Sequence, residues 1–534
     1  MVLNYRFISF VFIALWLLPQ ISRAGGPSMM RRAPVAVIPP AADTAAAQSL
    51  ALVMADRAGE HLYASGRYTH FHVKQVLSYL RSRSLAPAKL RSDAMATDIL
   101  TKLGARYGAW ASLSSLTKGG WELVISAHDL GSKKNIRKSH RLGADSASAV
   151  MQGSLYLAQA VEDLRQKSRP LKDQTPFTSS AKAAQHYARC FQIIIGQPLG
   201  LRKTQTLDIE LLKEARAQCK KATEADAAMV QAWSALSLAE SLAFENDKAA
   251  RSLKQADALG GYRPFRTLSR YWLTTRFKGS LAGEAVLKTA RTEHPGSLIF
   301  LTYLGNHLNI VDKYQAAYEV WEHYNSLAQS PYGKTNLAYS LARLGQPKKA
   351  VELTREAQVQ DPESSRLQLE LASRLVDAQM FVEAEKLLTP LAKSPAASGE
   401  LLLRLGYVLL LQNKNEPARQ WLNRAIKRAQ RPGDWRTRGR SYYDLAILSA
   451  RRGDLDSAEK ELLQAAREGY KVYHRLKEHP DLKALAYRPA ILKALAPPES
   501  KGKPLMLFAT PFPTDAVGDA RPEAPRGPMP EFGF

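Results

Sequence analysis

The tightest constraint on this chain's fold is a recurrence: Ala350, Ala384 and Ala418 lie 34 residues apart. Twelve positions before them stand Ala338, Ala372 and Gly406, and seven positions after them Ala357, Leu391 and Ala425. With small slips the register runs upstream to Ala317, Gly283, Ala249 and Ala215. After a six-residue insertion around Pro432 and Trp435 it resumes at Ala446, Ala458 and Ala465. Thirty-four residues make two antiparallel helices and two turns, and helix axes approach to about 8 Å only where the facing side chains are small. Trp321, Leu388 and Leu422, each four residues after a small position, are sized to fill the gap to the next unit. Gly345, Asn413 and Gly453 fall at the turn inside a unit, where a positive φ is useful, and Pro362 and Pro395 fall between units. A helical bundle without repeats would not hold one spacing through several columns.

These columns resemble the signature positions of the tetratricopeptide-repeat (TPR) family over residues 181–470, about eight helix pairs. The resemblance implies an all-α, right-handed solenoid in which the first helix of each pair lines a concave groove. Positions 2, 5, 9, 12 and 13 of that helix face the ligand in the family. Here they become Trp272 and Arg276, then Asn306 and Asn309, then Tyr332, Tyr339 and Arg343, then Arg366, Tyr407, Tyr443 and Arg451. Tyr, Trp and Arg bury a large area behind a polar tip, which suits interface anchors. Asn306, Asn336 and Arg366 also match three of the five positions of the family's carboxylate clamp. Thr302 and Glu370 stand where cations are required, and an acid there would repel a terminal carboxylate. Residues 471–497, including YHRLKEHPDLKALAYRPAILKAL, resemble the closing helix that follows such arrays, and imply a solenoid cap.

Residues 33–168 follow another pattern, after a linker at 25–32. APVAVIPP predicts a buried strand ended by prolines, and Thr44 to Ser65 a helix. RYTHFHV predicts a second strand, followed by helix VLSYLRSR and another helix ending at LGARYG. Three strands come next, YGAWASLSSL, WELVISAHDL and KNIRKSHRL, with turns at Gly119 and Ser132. A helix over Ala147 to Leu164 completes a small α/β domain of two or three layers. VAVIPP, LGARYGAWASL and WELVISAHDL in this order resemble the amino-terminal domain of TolB and related bacterial envelope proteins, which implies a binding or assembly module. The loop AADTAAA lacks the acidic or Asn-rich character usual there, so no ligand role carries over to it. A linker at 169–180 leads to the solenoid.

Arg6 precedes the apolar run Phe7 to Ile21, and Ser22 and Ala24 suit a signal-peptidase site, so residues 1–24 are expected to be a signal peptide cleaved after Ala24. The run is shorter than the roughly 20 residues of a stable span. An uncleaved N-terminal membrane anchor is the alternative to a periplasmic or otherwise exported protein. The two cysteines, Cys190 and Cys219, are compatible with one disulfide or with two buried thiols. Residues 498–534 are rich in Pro and Gly and are expected to form a disordered tail carrying Phe508, Phe512, Phe532 and Phe534.

No phosphate loop, nucleophile elbow, HExxH or dinucleotide fingerprint occurs, so no catalytic residue, metal site or cofactor is expected. His70 and His72 would share one face of a strand, but without a third ligand nearby they are expected to be half-buried or solvated. Asp454 and Asp456 belong to a helix start. The expected function is a non-catalytic scaffold that holds a protein or peptide partner of the cell envelope in the concave groove. Seventy-five Lys+Arg against 49 Asp+Glu give a net charge of +26. This excess, with the basic turn Ser132 to Arg141, makes a polyanion- or membrane-surface binder the alternative, without specific nucleic-acid recognition.

Overall fold

The computed structural model describes residues 32–83, 85–90, 92–165, 168–171, 177–196, 209–260, 264–430, 434–470 and 473–495. The expected signal peptide and C-terminal tail lie outside the described residues.

The first domain contains strands β1 Ala33–Val37, β2 Ala41–Ala42, β3 Tyr68–Phe71, β4 Tyr107–Ser115, β5 Trp121–Asp129 and β6 Lys134–Leu142. Its helices are α1 Ala45–Ala64, α2 Val73–Ser82, α3 Asp93–Leu103 and α4 Ser146–Glu162. The sheet runs β3-β1-β4-β5-β6, parallel through β3, β1 and β4 and antiparallel beyond, with β2 pairing β4 in parallel. Right-handed crossovers decide the layers. The chain moves from β1 one way to β3 and then back past β1 to β4, so α1 must lie on one face and α2–α3 on the other. Burial agrees: Ala109, Ala111, Leu113, Leu123, Ile125 and Ala127 point towards the α1/α4 layer and are nearly inaccessible. On the opposite face, a Cβ on Gly108 would overlap Leu100 of α3, and Trp110 Nε1 donates to Asp93 at 2.7 Å. The domain is therefore three-layered.

Two sequence expectations shift here. The short β2 joins the expected elements, and the order becomes β-β-α-β-α-α-β-β-β-α. The strand ends at Phe71, because His72 leaves it to cap α2: its Nδ1 accepts the Lys74 amide at 3.1 Å while Gln75 accepts from the His72 amide. His70 and His72 are thus not a strand-face pair. Both are buried, and His72 Nε2 lies 3.2 Å from Asp56.

The solenoid contains eight helix pairs among the described residues. They are α5 Ala181–Gly196 with α6 Ile209–Ala225, α7 Val230–Leu242 with α8 Asn246–Leu259, and α9 Pro264–Lys278 with α10 Ser280–Glu293. Then come α11 Leu298–Ile310 with α12 Tyr314–Leu327, α13 Pro331–Arg343 with α14 Pro347–Gln360, and α15 Ser365–Asp377 with α16 Phe381–Lys393. The last are α17 Gly399–Leu411 with α18 Asn415–Arg428 and α19 Trp435–Arg451 with α20 Leu455–Arg467. First helices starting at 331, 365 and 399, and second helices starting at 347, 381 and 415, reproduce the 34-residue period within one residue. Ala338, Ala372 and Gly406 stand at one level of the first helices, and Ala350, Ala384 and Ala418 at one level of the second, all buried or confronting a buried side chain. The insertion before α19 is absorbed by lengthening that helix at its start. Ala446 still lies five residues before the helix end, as Ala338, Ala372 and Gly406 do. α21 Tyr473–Glu478, a 3-10 turn Lys483–Leu485 and α22 Pro489–Leu495 follow, burying Leu476, Leu482, Leu485, Ile491 and Leu495 at the end of the array.

Period also governs the turn inside each pair. Phe244, Gly279, Asp312, Gly345, Gln379, Asn413 and Gly453 all have positive φ, one per pair from α7 onward. Between α5 and α6 the cysteines Cys190 and Cys219, both fully buried, form a disulfide with Cα atoms 5.3 Å apart.

Candidate interaction groove at the domain–solenoid junction

The α/β domain is not a separate bead. α5 packs across α1 and α4, so the first solenoid helix extends the helical layer of the domain. α2 then runs along the solenoid, from the C-terminal end of α5 to the turns that join later pairs. Lys74 Nζ donates to the Ile195 carbonyl at 3.1 Å and Arg81 to the Gly196 carbonyl at 3.0 Å, placing two cations at the negative end of α5. Thr69 Oγ1 donates to the Gly296 carbonyl at 3.1 Å, and Gln75 Nε2 to Thr302 Oγ1 at 3.2 Å. Arg83 reaches Glu363 at 2.7 Å and Asp361 at 3.4 Å, and Tyr79 donates to Asp361 at 3.3 Å. Gly104, at φ +80°, passes so close to the Gln329 carbonyl that a Cβ would stand 2.7 Å from it. The junction buries His70 with both ring nitrogens and half-buries Lys74. Burial, assisted by Arg81, pulls the Lys74 ammonium down to about 7, and burial beside Arg32 brings His70 to about 4.

Seven of the twelve side chains expected in the groove come together on three successive first helices, next to this junction. Asn306 Nδ2 donates to Tyr332 Oη at 3.2 Å, and Asn309 accepts from Ser340 at 3.1 Å. Asn336 donates to the Tyr332 carbonyl at 2.8 Å. The Arg366 guanidinium lies 5.5 Å from the Tyr332 ring centre, and Arg343 lies 5.0 Å from that of Tyr314, which meets Tyr339 edge-on. All seven keep part of their surface open to solvent. Half-buried Tyr339 has its hydroxyl pKa pushed up by desolvation against the pull of Arg343 and Arg374, so the phenol stays a neutral donor.

The other five lie elsewhere. Trp272, Tyr407 and Tyr443 are buried, at 3%, 6% and 1% exposure, and belong to packing between helices. Arg440 covers Tyr407 at 4.9 Å, and Tyr443 meets Tyr470 edge-on. Arg276 stands at an intra-pair turn, over Phe244 at 4.3 Å. Arg451 is held by Asp481 at 2.9 Å, by the Leu410 carbonyl at 3.1 Å and by Asn413 at 3.2 Å. Arg366 spends its charge partly on Glu370, 3.8 Å away, which argues against a carboxylate clamp.

Two residues of the cluster were not among those expected. Tyr314 begins a second helix, outside the groove positions, and Arg374 covers Tyr339 at 5.2 Å while pairing with Asp377 at 2.8 Å. The sequence signal for Arg374 is the recurrence of arginine about one repeat after an aromatic: Tyr332 to Arg366, Tyr339 to Arg374 and Tyr407 to Arg440. Each pair links neighbouring units through a cation–π contact of about 0.5–2 kcal/mol.

No protein-family model matches the sequence, and no curated relative matches it. Among solved structures, a tetratricopeptide-repeat protein from Parabacteroides merdae is similar at 12% identity and TM-score 0.36, over 52% of this chain and 98% of that one. Yeast Tom70 is similar at 15% identity and TM-score 0.40, over 60% and 70%. Pseudomonas aeruginosa pilF is similar at 16% identity and TM-score 0.26, over 46% and 92%. The helix spacing, the repeated left-handed turns and the small-residue columns of this chain themselves make it a small α/β domain followed by a TPR-type solenoid.

Proposed function

We propose that this protein is an exported, non-catalytic scaffold that holds an extended protein segment in the groove over α11, α13 and α15, with the α/β domain walling one end. The observation that carries this reading is the cluster of Asn306, Asn309, Tyr332, Asn336, Tyr339, Arg343 and Arg366, partly open to solvent and fixed by mutual contacts. Amide side chains offer donors and acceptors to a guest backbone, while Tyr and Arg supply area and charge. Because the cluster is already ordered by its own hydrogen bonds and cation–π contacts, binding costs little side-chain entropy on the scaffold side. The Cys190–Cys219 disulfide supports export, since such bonds persist in oxidising compartments, and the expected signal peptide gives a route to the periplasm. The resemblance of VAVIPP, LGARYGAWASL and WELVISAHDL to the TolB amino-terminal domain supports a role in envelope assembly.

The test is affinity purification from the native envelope with wild-type protein and with the Tyr339→Ala, Arg343→Ala double variant. Selective loss of one partner from the variant supports the groove. Equal recovery by both proteins contradicts it and favours binding through net positive charge, which would show a steep salt dependence.

A further inference from the structure

One intra-pair turn breaks the chemistry of the others. Glycine, aspartate or asparagine occupies five of the seven left-handed positions and glutamine a sixth, whereas the turn between α7 and α8 places Phe244 at φ +62°. A bulky aromatic is disfavoured in that region. The residue is 40% exposed, so the turn bears a hydration cost as well as a backbone cost. The next turn is flanked by Phe277, 60% exposed, and Leu281, 73% exposed. Arg276 joins the two turns, lying over the Phe244 ring and donating to Asn246 at 3.0 Å. Three apolar tips therefore share one edge of the solenoid.

Charge around these tips has one dominant sign. α9 ends in Arg276 and Lys278 and contains no acidic residue, while Arg266 and Arg270 lie towards its other end, paired with Asp257. Lys248 and Arg251 are exposed on α8, beside a cleft of about 620 Å³ between α6 and α8 that Lys213 and Lys220 also line. Of the nearby acids, Glu245 is paired with Arg216 and Lys248, and Asp247 is exposed. The α/β domain touches Gly296, Ser330 and Asp361 at the opposite ends of the later pairs and, on the intra-pair side, the end of α5 at Ile195 and Gly196, while Phe244, Phe277 and Leu281 stay exposed.

We propose that this edge docks onto an anionic lipid bilayer, with Phe244, Phe277 and Leu281 entering the interface and the surrounding cations meeting headgroup phosphates. Apolar tips that project from turns, instead of lining a groove, fit a soft layer, and the cations match its negative surface potential. The strain at Phe244 then has a purpose, because the left-handed turn aims the ring outward. Guest binding on the concave face would be left open, since the edge is built from other residues.

The test uses the chain from Gly25 onward, so that the apolar run Phe7 to Ile21 contributes nothing. It is sedimented with vesicles of phosphatidylglycerol and phosphatidylcholine, and with vesicles of phosphatidylcholine alone. Binding is expected to the first only, and to weaken as salt is raised. The Phe277→Ser, Leu281→Ser variant should bind at least about tenfold more weakly, the loss of two buried apolar side chains, with an unchanged melting temperature. Phe244→Gly should weaken binding while raising the melting temperature, a combination that loss of folding cannot produce. Wild-type affinity in both variants would overturn the proposal. So would equal binding to both vesicle types, or a wild-type dimer that the variants convert to monomer without a change in vesicle binding.

Discussion

Gly305 shows how much one hydrogen atom decides in this fold. A Cβ there would stand 2.5 Å from the indole of Trp321, which is wholly buried and cannot retreat. Gly305→Ala is expected to lower stability by about 1–3 kcal/mol, the usual cost of overpacking, as measured by urea unfolding. Gly345→Ala meets open space, so only its left-handed φ of 78° opposes it, a cost of about 1 kcal/mol. Equal effects from the two substitutions would contradict the packing argument. The small-residue columns were legible because close helix approach demands them wherever they occur. The groove side chains were less so. Tyr407 and Tyr443 satisfy the same positional rule as Tyr332 and Tyr339, yet Arg440 and Tyr470 from following segments close over them. Sequence spacing gives the direction of a side chain but not what the next unit lays on top of it. His72 was misplaced for a local reason: its imidazole caps α2 and ends the strand one residue early.

At the scale of elements, the first helix pair is the joint between domain and solenoid. The Cys190–Cys219 bond ties α5 to α6 across a sequence separation of 29. Replacing both cysteines by serine should cost about 2–4 kcal/mol through a less constrained unfolded chain; no change under reducing conditions would show that α5 is held by packing alone. Lys74 of α2 adds a pH signature to the same joint. Its folded pKa of about 7 lies below the ordinary 10.5, so between those values the unfolded chain binds a proton that the folded chain does not. Stability should therefore rise as pH increases from about 7 towards 10.5 and level off below 7, where the burial penalty is fully present. Lys74→Met should lose that slope in urea midpoints taken from about pH 7 to 9, and the same slope in both proteins would contradict the assignment. The disulfide was one of two readings the sequence left open, but the docking of α2 was not legible in advance, because the repeat period describes how units stack and is silent on which edge receives a neighbouring domain. Phe244, Asp312 and Gln379 were missed as turn residues for a related reason: stacking forces the left-handed conformation on whatever residue arrives there.

Over the whole molecule, the buried apolar side chains form two large clusters among the described residues. One runs from Val35 in β1 to Ala328 after α12, with Ala249, Leu253 and Leu273 forming a small cluster apart from it, and the other from Val351 in α14 to Leu495. Between them α13 buries only Pro331, Gly333, Thr335, Ala338 and Ser340, small side chains that contribute little apolar area. Hydrogen exchange in mild denaturant should accordingly show two cooperative units, with the α/β domain opening together with α5–α12 and the later pairs opening separately. A single transition, or a domain that opens alone, would contradict this division. α13, which carries Tyr332, Asn336, Tyr339 and Arg343, lies at the seam, where a guest spanning α11 to α15 would stitch the two units together. The most direct measurement is site-specific photo-crosslinking in the native envelope, with the probe placed either at Asn336 in the groove or at Val359 on α14, which is 80% exposed. The account predicts a discrete crosslinked partner from Asn336 and none from Val359; partners from Val359 alone, or the same partners from both positions, would contradict it.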